Sequence, residues 1–244
     1  MENAAENVTG VTLELGGKGP NIVFSDADFE AAAKGVHNGI FMNAGQMCWA
    51  GSRLIVHEDI HDELVDIVAT RAEGTPLGSG IDDDARMGPV VSDDQRQEIL
   101  GYIEIGKKEG ATLVTGGDVP VEKERGFFVE PTVFDDVTND MTIAREEIFG
   151  PVLSVITFED EKEALEIAND SPYGLLAGIW TSDLTRAHTV AEYLDYGMIS
   201  VNEYPVTFPQ TPFGGYKESG YGREQGREAI HEYTQVKNIN VNLG

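Results

Sequence analysis

The chain is poor in cysteine, in basic residues and in long apolar runs. Its 244 residues hold one cysteine, Cys48. A lone thiol excludes an intrachain disulfide. Lys and Arg number 17 against 43 Asp and Glu, a formal charge of −26. A field of that sign repels nucleic acid and anionic membrane surfaces, so neither is expected as a partner. No apolar run approaches the roughly 20 residues of a membrane span. The opening MENAAENVTG is polar and acidic, without the apolar core of a signal peptide. The expected location is cytoplasmic. The histidines, five in all, are scattered and suggest no metal site.

The acids are spread along the chain, in EDIHDE, GIDDDA, SDDQ and FEDEKE. That pattern describes a generally acidic surface rather than a tail. Such a surface suits molar salt, where its self-repulsion is screened. A salt-loving source is the expectation. At 41% hydrophobic residues, the chain can bury a substantial core.

Short β-rich runs alternate with amphipathic ones. VTLEL (11–15), NIVF (21–24), RLIVH (53–57), ATLVTGG, VLSVITF, LLAGIWT and MISVN read as strands. Ser25 or Asp26 can cap a helix reaching about residue 44, with Phe29, Ala32, Ala33, Val36, Ile40 and Phe41 at helical spacing. Further helices are predicted after Asp59, from about Ser92 to Gly110, and near 160–169 and 183–195. VKNINVNL at the end alternates like an edge strand. Strand–helix alternation of this kind predicts an α/β sheet covered by helices.

His57-Glu58-Asp59-Ile60-His61 fits the zinc-protease pattern H-E-x-x-H. That chemistry needs both histidines one turn apart on one helix. Here His57 ends a strand and Asp59 reads as a helix N-cap. The two rings diverge on this reading, as surface histidines. Glu14 ends a strand and precedes Gly16-Gly17, which allow a sharp turn and close backbone approach. On its own that stretch is equally a turn with an incidental acid. Cys48 sits in NAGQMCWAGSR, a Gly-flanked segment between helix and strand. Such a turn suits a nucleophilic thiol with backbone N–H groups beside it. A buried small hydrophobe is the plainer alternative. In AREEIFGPVL, Glu147 and Phe149 could hold a hydroxylated ring and stack on a flat one. QTPFGGYKESGYGRE has the glycines of a tight loop near a pocket.

Taken in order, LELGGK, GQMC, EEIFGP and VNEYPVTFPQTPFGGYKESG resemble the aldehyde dehydrogenase superfamily, from about Glu6 to Gly244. The resemblance implies an α/β catalytic domain: a twisted, mostly parallel sheet flanked by helices. Residues 1–231 would form that domain and 232–244 a C-terminal oligomerisation strand. It implies oxidation of a small-molecule aldehyde to an acid with NAD or NADP. Cys48 would be the nucleophile and Glu14 the general base, the pairing such chemistry requires. Leu15, Gly16, Glu147 and Phe149 would meet the nicotinamide and its ribose, and Gln95 would lie near the adenosine ribose. Trp49, Phe208 and Phe213 would line the substrate tunnel. Trp49 stands where the family has smaller residues, so it would narrow the tunnel or shift specificity.

Members of that superfamily are roughly twice this length. The half without a counterpart here carries most of the dinucleotide-binding domain, a second oxyanion donor and an oligomerisation hairpin. The expectation is therefore a catalytic half with impaired activity alone. A separate N-terminal half is its expected partner, and the intact family implies a homo-oligomer. An assembly piece without catalysis and a residual Cys48 esterase are the competing readings.

Overall fold

A computed structural model describes residues 1–121, 123 and 125–244. In chain order its elements are α1 (Glu2–Glu6), β1 (Leu13–Glu14), β2 (Pro20–Val23), α2 (Phe29–Phe41), β3 (Arg53–His57), α3 (His61–Glu73) and α4 (Asp93–Glu109). Then come β4 (Thr112–Thr115), β5 (Thr132–Asp135), α5 (Thr142–Arg145), β6 (Val152–Phe158), α6 (Glu161–Asn169), β7 (Tyr173–Gly174) and β8 (Leu176–Trp180). The chain closes with α7 (Leu184–Tyr193), β9 (Met198–Val201), β10 (Tyr216–Lys217), β11 (Gly220–Tyr221) and α8 (Glu228–Glu232).

The main sheet has seven strands in the order β4-β5-β6-β3-β2-β8-β9. Every pairing is parallel except β4 with β5. The central strands are buried on both faces, as parallel strands under crossover helices must be. Their side chains alternate between two cores. Val23, Leu54 and Val56 join the larger one, beneath α2, α3 and α4. Ile22, Phe24 and Ile55 join the smaller one, beneath α6 and α7. The predicted architecture is the observed one.

Several boundaries differ from the sequence expectation. Helix α2 starts at Phe29, because Asp28, not Ser25 or Asp26, caps it by accepting from the Ala31 N–H. Asp26 is committed elsewhere: its carboxylate receives Thr181, Ser182, Asp183 and Arg186. The same helix stops at Phe41, and a 3-10 turn at Met42–Gly45 follows, with Asn43 and Ala44 at positive φ. Asp59 lies in a short 3-10 turn, and Ile60 precedes α3. VTLEL shrinks to the two residues of β1, outside the main sheet and antiparallel to β11. Glu14 therefore does not end a strand of the main sheet. Strand β5 was not legible as one, and neither were the two-residue strands β7, β10 and β11. The stretch 234–244 forms no strand within this chain, since no strand of the chain pairs with it, and Val236, Ile239, Val241 and Leu243 are exposed.

Among the described residues no helix is long and apolar enough to cross a membrane. His57 accepts from the Asp59 N–H and packs edge-on against Phe158. His61 bonds Asp62 and Asp135. The two rings have different partners and do not converge on one ion.

Candidate functional site

Two glycines bring three motifs together. After β1 the chain turns through Gly16 and Gly17. A Cβ on Gly16 would run into the Glu147 carboxylate, and one on Gly17 into the Cys48 carbonyl oxygen. Side chains are excluded from the turn because two other segments press on it. The Gly17 N–H completes the link by donating to Glu147 Oε1 at 3.2 Å. LELGG, GQMC and EEIFG thus meet at one point.

The fourth motif closes over the other side. Strand β11 pairs Tyr221 with Leu13 and Gly220 with Glu14, and the Leu15 N–H donates to Ser219 O at 3.0 Å. A Cβ on Gly214 would stand 3.0 Å from Glu14 Oε1. Phe213 and Glu224 exchange backbone hydrogen bonds at 2.7 Å each way, which folds the loop back on Glu14.

Cys48 is half-buried in the turn beyond the 3-10 segment. Burial pushes its thiol up, and the carboxylates of Glu147 and Glu14 push the same way. The backbone N–H groups of Cys48 and Trp49 oppose this by facing the sulfur. Neither N–H is spent on another described residue. They remain available to an oxygen that becomes negative on a carbon bonded to the sulfur. The thiol is thus no ready thiolate and needs a base beside it.

Glu14 has the character of that base. Burial, then the charge of Glu224, raise its carboxyl to about 7, against the pull of Arg223. Its Oε2 is buried and has no hydrogen-bond partner. A carboxylate poised near neutrality can take a proton and return it.

Beside the thiol, the Trp49 and Phe213 rings meet edge-to-face with centroids 6.4 Å apart. Phe208 and Phe213 line a cavity of about 320 Å³ between the end of β9 and the 203–213 loop. Cys48, Glu14 and Trp49 do not line it. Phe208 thus sits with Phe213 and apart from the thiol.

Phe149 is 39% exposed and holds a positive φ of 53°. That conformation is uncommon for an aromatic residue and persists where surroundings fix it. Gln95 supplies the fixing: its Nε2 donates to the carbonyls of Ile148 and Phe149, each at 3.2 Å. Gln95 is thus a brace for the Phe149 loop, and only its Oε1 remains without a described partner. Leu15 is 47% exposed at the same turn.

Sequence reading missed three supports. Tyr204 is buried, donates to Trp49 O at 2.7 Å, and would collide with a Cβ on Gly19, Gly39, Gly51 or Gly178. The recurring glycines were the available signal. Glu224 and Arg223, in opposite directions and after burial, act on the Glu14 carboxyl from a stretch whose glycines suggested a loop near a pocket. Lys18 is fully buried beneath the glycine turn.

The family model described as "Aldehyde dehydrogenase family" matches residues 1–239. The NAD+ complex of an aldehyde dehydrogenase from Bacillus cereus superposes with a TM-score of 0.97 at 49% identity, over 100% of this chain and 49% of that one. The betaine aldehyde dehydrogenase of Staphylococcus aureus, in complex with NAD+, gives 0.93 at 46% identity, over 96% and 46%. A betaine aldehyde dehydrogenase of Brucella anthropi is 47% identical over 246 residues, which is 100% of this chain and 50% of the relative. The chain spans about half the length of the curated relatives it matches.

Proposed function

This chain belongs to the aldehyde dehydrogenase family, and we propose that it carries the catalytic half of an enzyme oxidising an aldehyde to a carboxylic acid with NAD or NADP. The observation that carries the reading is the shared environment of Cys48 and Glu14: a half-buried thiol with free N–H groups beside a carboxyl raised to about 7.

Glu14, once ionised, accepts the thiol proton. Sγ of Cys48 then bonds to the aldehyde carbon, and the former carbonyl oxygen becomes an oxyanion beside the Cys48 and Trp49 N–H groups. The dinucleotide, when bound, supplies the hydride acceptor. The residues suited to hold it are Leu15, Gly16, Glu147 and Phe149, with Gln95 as brace. Three observations support the fit: an exposed aromatic face at Phe149, a carboxylate anchored by the Gly17 N–H, and a turn closed to any Cβ. The carbon left on Cys48 is a thioester. Glu14 releases the thiol proton to solvent, then takes a proton from water; the hydroxide adds to the thioester carbon, and the C–S bond breaks as Glu14 returns that proton to sulfur, giving the acid and the thiol. Trp49 and Phe213 wall the approach to Cys48, and Phe208 lines the adjoining cavity with Phe213.

The half of the relatives that these residues do not span would complete the nucleotide cleft and add a second oxyanion donor. Losing one such donor costs about 10²–10³ in rate. The protein works in the cytoplasm, in high salt, as part of a homo-oligomer that residues 232–244 help to form. The test is NADH formation by the purified chain in molar KCl across a panel of aldehydes, beside Cys48→Ala. Little or no NADH is expected from the chain alone, with Cys48-dependent NADH on adding the N-terminal half of a relative. Turnover by the chain alone at the rate of an intact enzyme would overturn the need for that half.

A further inference from the structure

The backbone around Cys48 is held at three carbonyls and free at two N–H groups. The Ala50 N–H donates to Met47 O at 2.9 Å, so Cys48 and Trp49 are the two central residues of a turn. The Cys48 carbonyl oxygen lies against Gly17, where a Cβ would come within 2.3 Å of it. The Trp49 carbonyl oxygen accepts from the Tyr204 hydroxyl at 2.7 Å. The N–H groups of Cys48 and Trp49 have no partner among the described residues. Tyr204 reaches this turn from beyond β9, at the start of the loop that carries Phe208 and Phe213, and it is 5% exposed. Its ring fills a slot bounded by glycines. A Cβ on Gly39 of α2, on Gly51 or on Gly178 of β8 would stand 2.7, 2.9 and 2.7 Å from ring carbons, and one on Gly19 would stand 2.6 Å from the hydroxyl. Burial pushes the phenol well above its ordinary value, so it stays protonated and remains a donor.

We propose that Tyr204 is a positioning residue for the nucleophile, acting through the Trp49 carbonyl to hold the Cys48–Trp49 turn with its two free N–H groups ready for the oxygen that becomes negative. The proposal rests on the reading of Cys48 as the nucleophile. One peptide joins Cys48 to Trp49 and the next joins Trp49 to Ala50. Gly17 restricts the first at the Cys48 carbonyl, and Tyr204 restricts the second at the Trp49 carbonyl. With both peptides fixed, the Trp49 N–H between the two carbonyls keeps its direction. Donors fixed in advance stabilise charge as it develops and need no reorganisation at that moment. A turn released at Trp49 O would have to be ordered during the reaction, at a cost in rate. The same contact ties the loop of Phe208 and Phe213 to the turn that bears the thiol.

The test compares two reactions of Cys48 in the full chain, in molar KCl at one pH. With p-nitrophenyl acetate, the ionised Sγ bonds to the acetyl carbon and the carbonyl oxygen becomes negative. p-Nitrophenolate then leaves as the C=O bond re-forms. With iodoacetamide, Sγ bonds to the methylene carbon and iodide leaves, and no oxyanion forms. Both reactions need the thiolate, so the ratio of ester to alkylation rates reads the N–H groups. Tyr204→Phe keeps the ring and removes the donor. The ratio should fall about tenfold or more, short of the roughly 10²–10³ that loss of a whole donor costs. Gly39→Ala keeps the hydroxyl but presses a methyl group on the ring, and it should lower the ratio too. Should Tyr204→Phe not fold, Gly39→Ala decides alone. A merely structural tyrosine would lower the denaturant midpoint and leave the ratio at the parent value, and that result would overturn the proposal. An ester that never acylates Cys48 in the parent would sink the reading of Cys48, and the role of Tyr204 with it. Acylation in the parent with an unchanged ratio in Tyr204→Phe would sink the role of Tyr204 alone.

Discussion

Gly17 donates its backbone N–H to Glu147 Oε1 at 3.2 Å, and the Cα of the same glycine lies against the carbonyl oxygen of Cys48. One residue without a side chain therefore fixes the thiol's turn and the neighbouring carboxylate relative to each other. Gly17→Ala forces a methyl group into the Cys48 backbone. Overpacking of this kind costs about 1–3 kcal/mol. The denaturant midpoint should fall, and the rate of Cys48 alkylation should change with it. Gly10, where an added Cβ meets nothing within 4 Å, is the control. Equal behaviour of Gly17→Ala and Gly10→Ala would remove the turn from the account.

Glu14 gives stability a pH dependence of defined sign. Its folded-state carboxyl is raised from 4.5 to about 7. Between those values the native state holds a proton that the unfolded chain has lost. Stability therefore declines as pH rises from 4.5 to 7, and the loss persists above 7. Glu14→Gln removes that contribution. The variant should melt above the parent at pH 8, with the gap closing below pH 4.5. Glu14 is only partly buried, so the gap should be modest. A variant less stable than the parent at pH 8 would contradict the raised carboxyl.

Arg53 is 0% exposed and ties the glycine turn to α6 and to Tyr196. Arg53→Met keeps much of the volume and leaves several buried acceptors unmet, at about 1–3 kcal/mol for each. A loss of about 3 kcal/mol or more in urea unfolding is expected. A loss under about 1 kcal/mol would mean that water replaces the guanidinium without penalty.

The large features of the fold were legible because they rest on local patterns. Helix α4 runs from the Ser92 cap to Gly110, whose φ of 100° ends it, and both were visible as cap and stop residues. Strand β6 was visible as VLSVITF, a β-rich run interrupted only by Ser154 and Thr157. What failed depended on partners far away in sequence. Asp26 looked like a cap and is a hub for residues 181–186. Strand β5 is four residues, visible only because β4 and β6 flank it. The proximity of Glu14, Cys48 and Glu147 followed from no periodicity. It came from the resemblance, and the structure supplies its physical basis in Gly16 and Gly17. Lys18 is buried, and nothing local in the sequence marks a lysine as buried.

The central claim is that Cys48 is a nucleophile served by Glu14. An activated ester tests it without any cofactor, because acylation needs only the thiol and its base. The measurement is acyl transfer from p-nitrophenyl acetate to the chain in molar KCl, followed by mass spectrometry across pH. The account predicts an adduct on Cys48, absent in Cys48→Ala, with a rate that rises through about pH 7 and loses that inflection in Glu14→Gln. A folded chain that leaves Cys48 unacylated, or a pH profile identical in Glu14→Gln, would contradict it.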